Sequence, residues 1–252
     1  MKIKHTEKVC LQIQSQTVST VQTPNSEAWL VKFPAHNERK SVCLLESIYA
    51  DYVKKAGIIM PEHRYFEISD EYSAFGVKRF DCNGTQPKEQ RLHIHTIAGL
   101  LNTDFRLPTL DYTQLLRCVR MMTRSQKQVE MAYRQAVFNV IFNNKDDHSK
   151  NFSFIMDNNG KWSLSPAYDI SFNTGTNGYH QMDICGQAKH PTKKDLLQLA
   201  KITDIKPNFA KEAIEKTVIL AEELLDTLND FDLHKELADT VLKSVRENIK
   251  RM

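Results

Sequence analysis

The chain has 252 residues, 41% hydrophobic and 26% charged, with a formal net charge of +3. That length fits two lobes sharing a cleft, and the weak positive balance lacks the basic bias of nucleic-acid binders, so no direct nucleic-acid contact is expected. No apolar run approaches the ~20 residues of a bilayer span, and Met1 to Gln12 lacks the apolar centre of a signal peptide, so the expected location is cytoplasmic with no membrane contact.

Residues 1–25 are polar, and Leu11, Ile13, Thr17, Val18 and Val21 hint at short strands before a turn at Thr23-Pro24-Asn25-Ser26. Ala28-Trp29-Leu30-Val31-Lys32-Phe33-Pro34 is a short apolar strand with one cation inside it. A lysine there is costly unless its ammonium meets an anion. In a nucleotide site that anion is a phosphate; alone, the simpler reading is an edge lysine pointing to water. From Ser41 to Ala56 the apolar positions Val42, Leu45, Ile48, Tyr49, Tyr52 and Val53 recur at helical steps. Gly57 follows where a helix C-terminus prefers it. Glu46 lies inside this helix, either on a solvated face or partly buried beside Leu45 and Tyr49. A strand lysine followed by a helix glutamate is the order in which kinases pair them to orient phosphates.

His63 to Ile68 and Ser73 to Phe80 read as two strands of a small antiparallel sheet. Val77-Lys78-Arg79-Phe80-Asp81 then leads into a Gly- and Pro-containing loop, Cys82 to Gln90. Arg91-Leu92-His93-Ile94-His95 alternates polar and apolar, and without a third ligand nearby the two histidines read as solvent-facing or hydrogen-bonded. A helix starts near Thr96, and Leu107-Pro108 interrupts the chain. Tyr112 to Met122 and Lys127 to Phe142 are amphipathic helices, the second with a core stripe of Val129, Tyr133, Ala136, Val137, Val140 and Ile141.

That stripe delivers the chain into Asn143-Asn144-Lys145-Asp146-Asp147-His148-Ser149-Lys150-Asn151. Phe152 to Met156 and Lys161 to Leu164 form a hairpin around Asp157-Asn158-Asn159-Gly160, which returns the chain to Pro166-Ala167-Tyr168-Asp169. Phosphate transfer from a nucleotide needs one carboxylate near the attacking hydroxyl, and an amide and a second carboxylate on Mg²⁺; Asp146, Asn151 and Asp169 are that set. Ser171 to Gly178 is Asn/Thr/Gly-rich and expected to be mobile. Lys193 to Ala200, Asn208 to Asp230 and His234 to Lys250 read as helices. The five cysteines, Cys10, Cys43, Cys82, Cys118 and Cys185, form no Cys-x-x-Cys pair and are expected to be reduced.

At Asp146-Asp147-His148-Ser149-Lys150-Asn151 and Tyr168-Asp169 the sequence resembles the HipA family of bacterial serine/threonine protein kinases, toxins of toxin–antitoxin pairs. The resemblance runs from about Trp29 to the C-terminal helices. It includes Trp29 to Pro34, Val77 to Asp81, Arg91 to His95 and His180-Gln181-Met182-Asp183-Ile184-Cys185-Gly186. It implies an α+β, two-lobed kinase-like fold, with an N-lobe of sheet plus one helix over 1–82 and a mostly helical C-lobe over 83–252. It further implies Asp146 as the base, Asn151 and Asp169 as Mg²⁺ ligands, and Lys32 on phosphate with Glu46 as its partner. His148 and Tyr168 fall near the nucleotide, and Lys78 to Phe80 beside adenine, although position 78 is commonly glutamate in relatives.

The implied ligands are ATP and Mg²⁺. The implied partners are a protein substrate, such as an aminoacyl-tRNA synthetase or another translation component, and a HipB-like antitoxin. Two departures stand out. The small N-terminal subdomain of the family has no room here, as in split members where it is a separate small protein. Residues 1–28 also contain no glycine, so the glycine loop ahead of the Val-Lys-Phe-Pro strand is replaced by Thr6-Glu7-Lys8 or lost. Three readings compete with an active kinase: a nucleotide- or antitoxin-binding protein without turnover, a metal-dependent phosphohydrolase using Asp146, Asp147 and His148, and a plain solvated turn at Asp146-Asp147.

Overall fold

The computed structural model describes residues 7–14, 17–21, 23–36, 38–104 and 110–252; the expected features at Thr6 and at Leu107-Pro108 lie outside them. Strands β1 (Glu7–Gln14), β2 (Thr17–Ser19), β3 (Glu27–Phe33), β4 (His63–Glu67) and β5 (Ser73–Lys78) form one antiparallel sheet. Its order is β2-β1-β3-β5-β4. Side chains alternate across a strand, and β3 uses both faces. Trp29 and Val31 join Leu11, Ile13 and Ala74 on one side. Leu30 packs with Phe75 and Val77 on the other, against Cys43 and Ala50. Those two residues belong to helix α1 (Ser41–Lys55). Lys32 shares the Leu30 side by the period of two, so it faces the helix rather than water.

α1 stops where the sequence says it should. Gly57 takes φ +79, its N–H bonds to Lys54 O at 2.9 Å, and the Ile58 N–H bonds to Val53 O at 3.2 Å. This is the paired closure that left-handed glycine makes possible.

The rest of the chain is mostly helical, and the whole is a mixed α+β fold, as the implied kinase-like fold requires. The Cys82 to Gln90 loop carries a two-stranded ladder of β6 (Cys82–Asn83) and β7 (Gln90–Arg91). A three-stranded sheet follows, in which β9 (Ser153–Met156) sits between β8 (His93–Thr96) and β10 (Trp162–Leu164). The helices are α2 (Ile97–Leu100), α3 (Tyr112–Thr123), α4 (Gln126–Ile141), α5 (Lys193–Ile202), α6 (Pro207–Thr227) and α7 (Lys235–Ile249). α2 is a single turn, capped by the Thr96 hydroxyl accepting from the Gly99 N–H at 3.0 Å. α6 ends at Thr227, and the expected remainder to Asp230 is a 3₁₀ turn.

The principal core is shared between α1 and the helical part. Phe142 stacks on Phe138 with centroids 4.1 Å apart and meets Tyr49 edge-on at 5.7 Å. The Tyr49 hydroxyl donates to Phe142 O at 2.8 Å. Such aromatic pairs add about 0.5–1.5 kcal/mol beyond the area they bury. They fix the start of the 143–151 loop against the helix that carries Glu46.

Candidate active site

The loop is shaped first by how α4 ends. Asn143 adopts φ +58, and the Asn144 N–H closes on Asn139 O at 2.9 Å. Asparagine tolerates this left-handed position better than most residues. The Asn143 amide also donates to Asn173 O at 3.0 Å, and the Asn173 N–H donates to Asn143 O at 3.0 Å. Lys145, buried, donates through Nζ to Gly178 O at 2.7 Å. The Ser171–Gly178 segment, expected to be mobile from its composition, is therefore pinned to the loop by main-chain bonds.

The neighbours Asp146 and Asp147 have different roles. Asp147 is fully buried and gathers three groups: Tyr112 Oη at 2.7 Å, His180 Nδ1 at 2.8 Å and the Gln181 N–H at 2.8 Å. Asn139 Nδ2 donates onward to the Tyr112 hydroxyl at 2.9 Å. A buried carboxylate survives only with partners of this kind. Asp147 is thus part of the scaffold, which removes it from the phosphohydrolase reading and excludes a solvated turn. Sequence reasoning placed Asp147 only in the phosphohydrolase and solvated-turn readings and gave Tyr112 and His180 no individual role; only the quoted His180 to Gly186 stretch pointed there.

Asp146 remains partly exposed, 35% by its side chain. Its carbonyl accepts from Asn151 Nδ2 at 2.8 Å, which turns the Asn151 amide nitrogen inward and leaves the amide oxygen to offer elsewhere. Burial raises the Asp146 carboxyl above its ordinary range; His148, with Nε2 at 3.8 Å, pulls it back, while the Asp169 and Asp147 charges push it further up. A carboxyl shifted this way is a stronger proton acceptor once ionised.

Asp169 lies across from this loop, in the left-handed region at φ +58. Its Oδ1 is paired with the Lys32 ammonium, which also pairs with Glu46. Its Oδ2 accepts from Lys8 Nζ at 2.8 Å. Burial opposes the charge on Lys32, but Glu46 and Asp169 override it and hold the ammonium above its ordinary value. Burial likewise opposes ionisation of Asp169, and Lys32 and Lys8 together hold its carboxyl well below the usual carboxylate range. Glu46 moves the other way, raised by burial against the pull of Lys32.

Tyr168 is fixed by its hydroxyl, which donates to Lys150 O at 2.6 Å and stands 2.5 Å from Ser153 Oγ. Its ring lies 5.6 Å from that of Phe80, so these two predicted residues meet at the connector after the first sheet. Lys78 is engaged elsewhere. Its ammonium pairs with Glu27 at 2.5 Å, and its N–H donates to Glu62 O at 2.8 Å. The structure therefore joins Lys32, Glu46 and Asp169, then Asp146, His148 and Asn151, then Phe80 and Tyr168, and leaves Lys78 outside the contacts of these groups.

These residues fit Mg·ATP. Asn151 and Asp169 offer hard oxygen ligands of the kind Mg²⁺ takes when it is shared with phosphates. The Lys8 and Lys32 ammonium groups supply positive charge beside them. Among the described residues, no three His, Cys, Asp or Glu side chains gather as a metal site, and an ion carried in with phosphates needs only one or two carboxylates. His93 and His95 stack 6.2 Å apart, with His93 edge-on to Trp162, and bring no ligand to Asp146. Surface hollows lie along α7 and beside Met121 and Trp162; neither is lined by Asp169, whose oxygens are paired with the two ammonium groups.

The sequence profile of the HipA-like C-terminal domain matches residues 5–225. The chain belongs to the HipA-like C-terminal domain family. The match begins well before Trp29 and so takes in β1 and Lys8. Among solved structures, this HipA-like chain is similar to HipA of Shewanella oneidensis MR-1, solved with HipB and its operator DNA, with a TM-score of 0.77 at 16% identity. All of this chain is covered there, and 64% of that one, so the chain spans less than two thirds of the length of that HipA. It is also similar to the Helicobacter pylori proinflammatory kinase CtkA, with a TM-score of 0.57 at 14% identity over 90% of this chain and 88% of that one. At these identities the likeness carries the fold. A search of the curated proteins finds no match.

Proposed function

We propose that this HipA-like chain is an ATP-dependent serine/threonine protein kinase. The observation that carries the reading is the ion-paired cluster of Lys32, Glu46 and Asp169 facing a loop that offers Asp146 and Asn151. Asp146 accepts the proton of the substrate hydroxyl. The hydroxyl oxygen bonds to the γ-phosphorus as the bond to the β–γ bridging oxygen breaks, and ADP leaves. Asn151 and Asp169 hold Mg²⁺, which when bound neutralises charge on the phosphates. Lys32, oriented by Glu46, contacts phosphate. Phe80 and Tyr168, with the connector backbone at Lys78, flank adenine, and His148 stands beside Asp146 near the nucleotide. In this reading the lobes divide near residue 82.

By analogy with HipA, whose structure contains HipB and operator DNA, the proposed partner is a HipB-like antitoxin. The proposed target is a translation component such as an aminoacyl-tRNA synthetase, and the proposed compartment is the cytoplasm. No helix among the described residues is long and apolar enough to cross a membrane.

The second reading, a nucleotide- or antitoxin-binding protein without turnover, is favoured by the absence of glycine from residues 1–28. Labelled γ-phosphate separates the two. The kinase transfers label to protein in a cell extract, and Asp146→Gln abolishes that transfer. Tight Mg·ATP binding by the wild type with no labelled protein would leave the binding reading instead.

A further inference from the structure

β1 places a charge where the sequence has no glycine to cradle phosphate. Lys8 and Lys32 are directly opposite each other in the β1–β3 ladder, so their side chains leave the same face of the sheet. Like charges in opposed positions repel unless an anion lies between them. Here both ammonium groups end on Asp169, Lys8 on Oδ2 at 2.8 Å and Lys32 on Oδ1. Their situations differ in two respects. Lys32 is buried and keeps Glu46 as a second partner, whereas Lys8 is 42% exposed by its side chain and, among the described residues, has Asp169 as its one ion-pair partner.

We propose that Lys8 is a second phosphate-contacting lysine, supplying from a strand side chain the positive charge that a glycine-rich loop would otherwise present through its backbone. The inference rests on the kinase reading above. With the Asp169 carboxylate given over to Mg²⁺, Lys32 would retain Glu46 and Lys8 would lose its ion-pair partner. The triphosphate that carries the ion would then bring a compensating anion to Lys8. The exposed stem of Lys8 leaves it free to follow, and its ammonium is already at the carboxylate the ion would use. The contact is to phosphate, not to the base or sugar, so it discriminates ATP from adenosine.

Calorimetric titration of the full chain with Mg·ATP and, separately, with adenosine tests this. Lys8→Met is expected to weaken Mg·ATP by about tenfold, the scale of one hydrogen bond between charged groups at a partly exposed site. Adenosine affinity and the melting temperature of the nucleotide-free protein should stay near wild type, and Lys8→Arg should recover most of the loss. Unchanged Mg·ATP affinity in Lys8→Met overturns the proposal. An equal loss for adenosine also overturns it, since that marks Lys8 as merely structural. If the wild type itself binds no Mg·ATP, the kinase reading fails, a result distinct from either.

Discussion

Asp169 has both carboxylate oxygens covered by ammonium groups and its backbone in the left-handed region. A non-glycine residue in that region persists only where its surroundings hold it. With its folded value depressed, it contributes stability that is present above the unfolded value of about 3.9 and lost as pH falls through the folded one. Asp169→Asn should therefore be less stable than wild type in urea at neutral pH, by a margin that shrinks below about pH 4. A margin constant across that range would sink the assignment. Asp146, raised by burial, gives the opposite sign: as a base it works only when ionised, so the acid limb of kcat should lie above the ordinary carboxylate range. Asp146→Asn should lower kcat by about 10²- to 10⁴-fold while leaving Mg·ATP affinity unchanged. The residue types of this set were legible in the sequence. The division between Asp146 and Asp147 was not, because adjacent carboxylates look alike until the fold sends one into the core beside Tyr112 and His180.

Among the elements, α1 and α4 were readable because their apolar stripes are long and regular, and Gly57 marks the end of α1. The hairpin was readable from Asn159-Gly160, where Gly160 takes φ +77. β1 was legible only as a hint, and nothing in its sequence says which way Lys8 faces; that follows from register with β3. The Ser171–Gly178 segment misled through composition, since Asn and Gly mark mobile loops and also tight, hydrogen-bonded ones. Gly175 is of the second kind: at φ +68, an added Cβ would lie 2.1 Å from Tyr179 O. Gly175→Ala should destabilise by more than about 1 kcal/mol, through left-handed strain as well as the clash. The network around Asp147 predicts that Tyr112→Phe costs about 1–3 kcal/mol, because a buried acceptor and donor lose their partner. Thermal or urea unfolding checks both, and a wild-type midpoint for Tyr112→Phe would show that the network does not hold the loop.

At the scale of the molecule, α1 bridges the first sheet and the helical part: its Cys43 and Ala50 pack with Phe75 and Val77 of the sheet. Leu45, Tyr49, Tyr52 and Val53 of α1 are buried with Phe138 and Phe142. The order of sheet first and helices after was legible from the change in element type, but the core that α1 shares with the helices was not, since periodicity shows which face of α1 is apolar without showing what covers it. Phe142→Ala should cost about 3–5 kcal/mol and loosen the loop and α1 together. The two tryptophans report on each part: Trp29 lies buried in the first sheet and Trp162 lies in the hairpin. Single-tryptophan variants should give coincident urea transitions, and well-separated midpoints would contradict a shared core.

The proposed function requires Asn151 and Asp169 to hold a divalent cation bound to ATP, with Asp146 beside it as the base. Calorimetric titration of the wild type and Asp169→Asn with ATP, in Mg²⁺ and then in EDTA, tests it most directly. The account predicts binding by the wild type that requires Mg²⁺, and a Mg²⁺-dependent gain that largely disappears in Asp169→Asn. Equal affinity with and without Mg²⁺, or a full Mg²⁺ effect surviving in the variant, would contradict it.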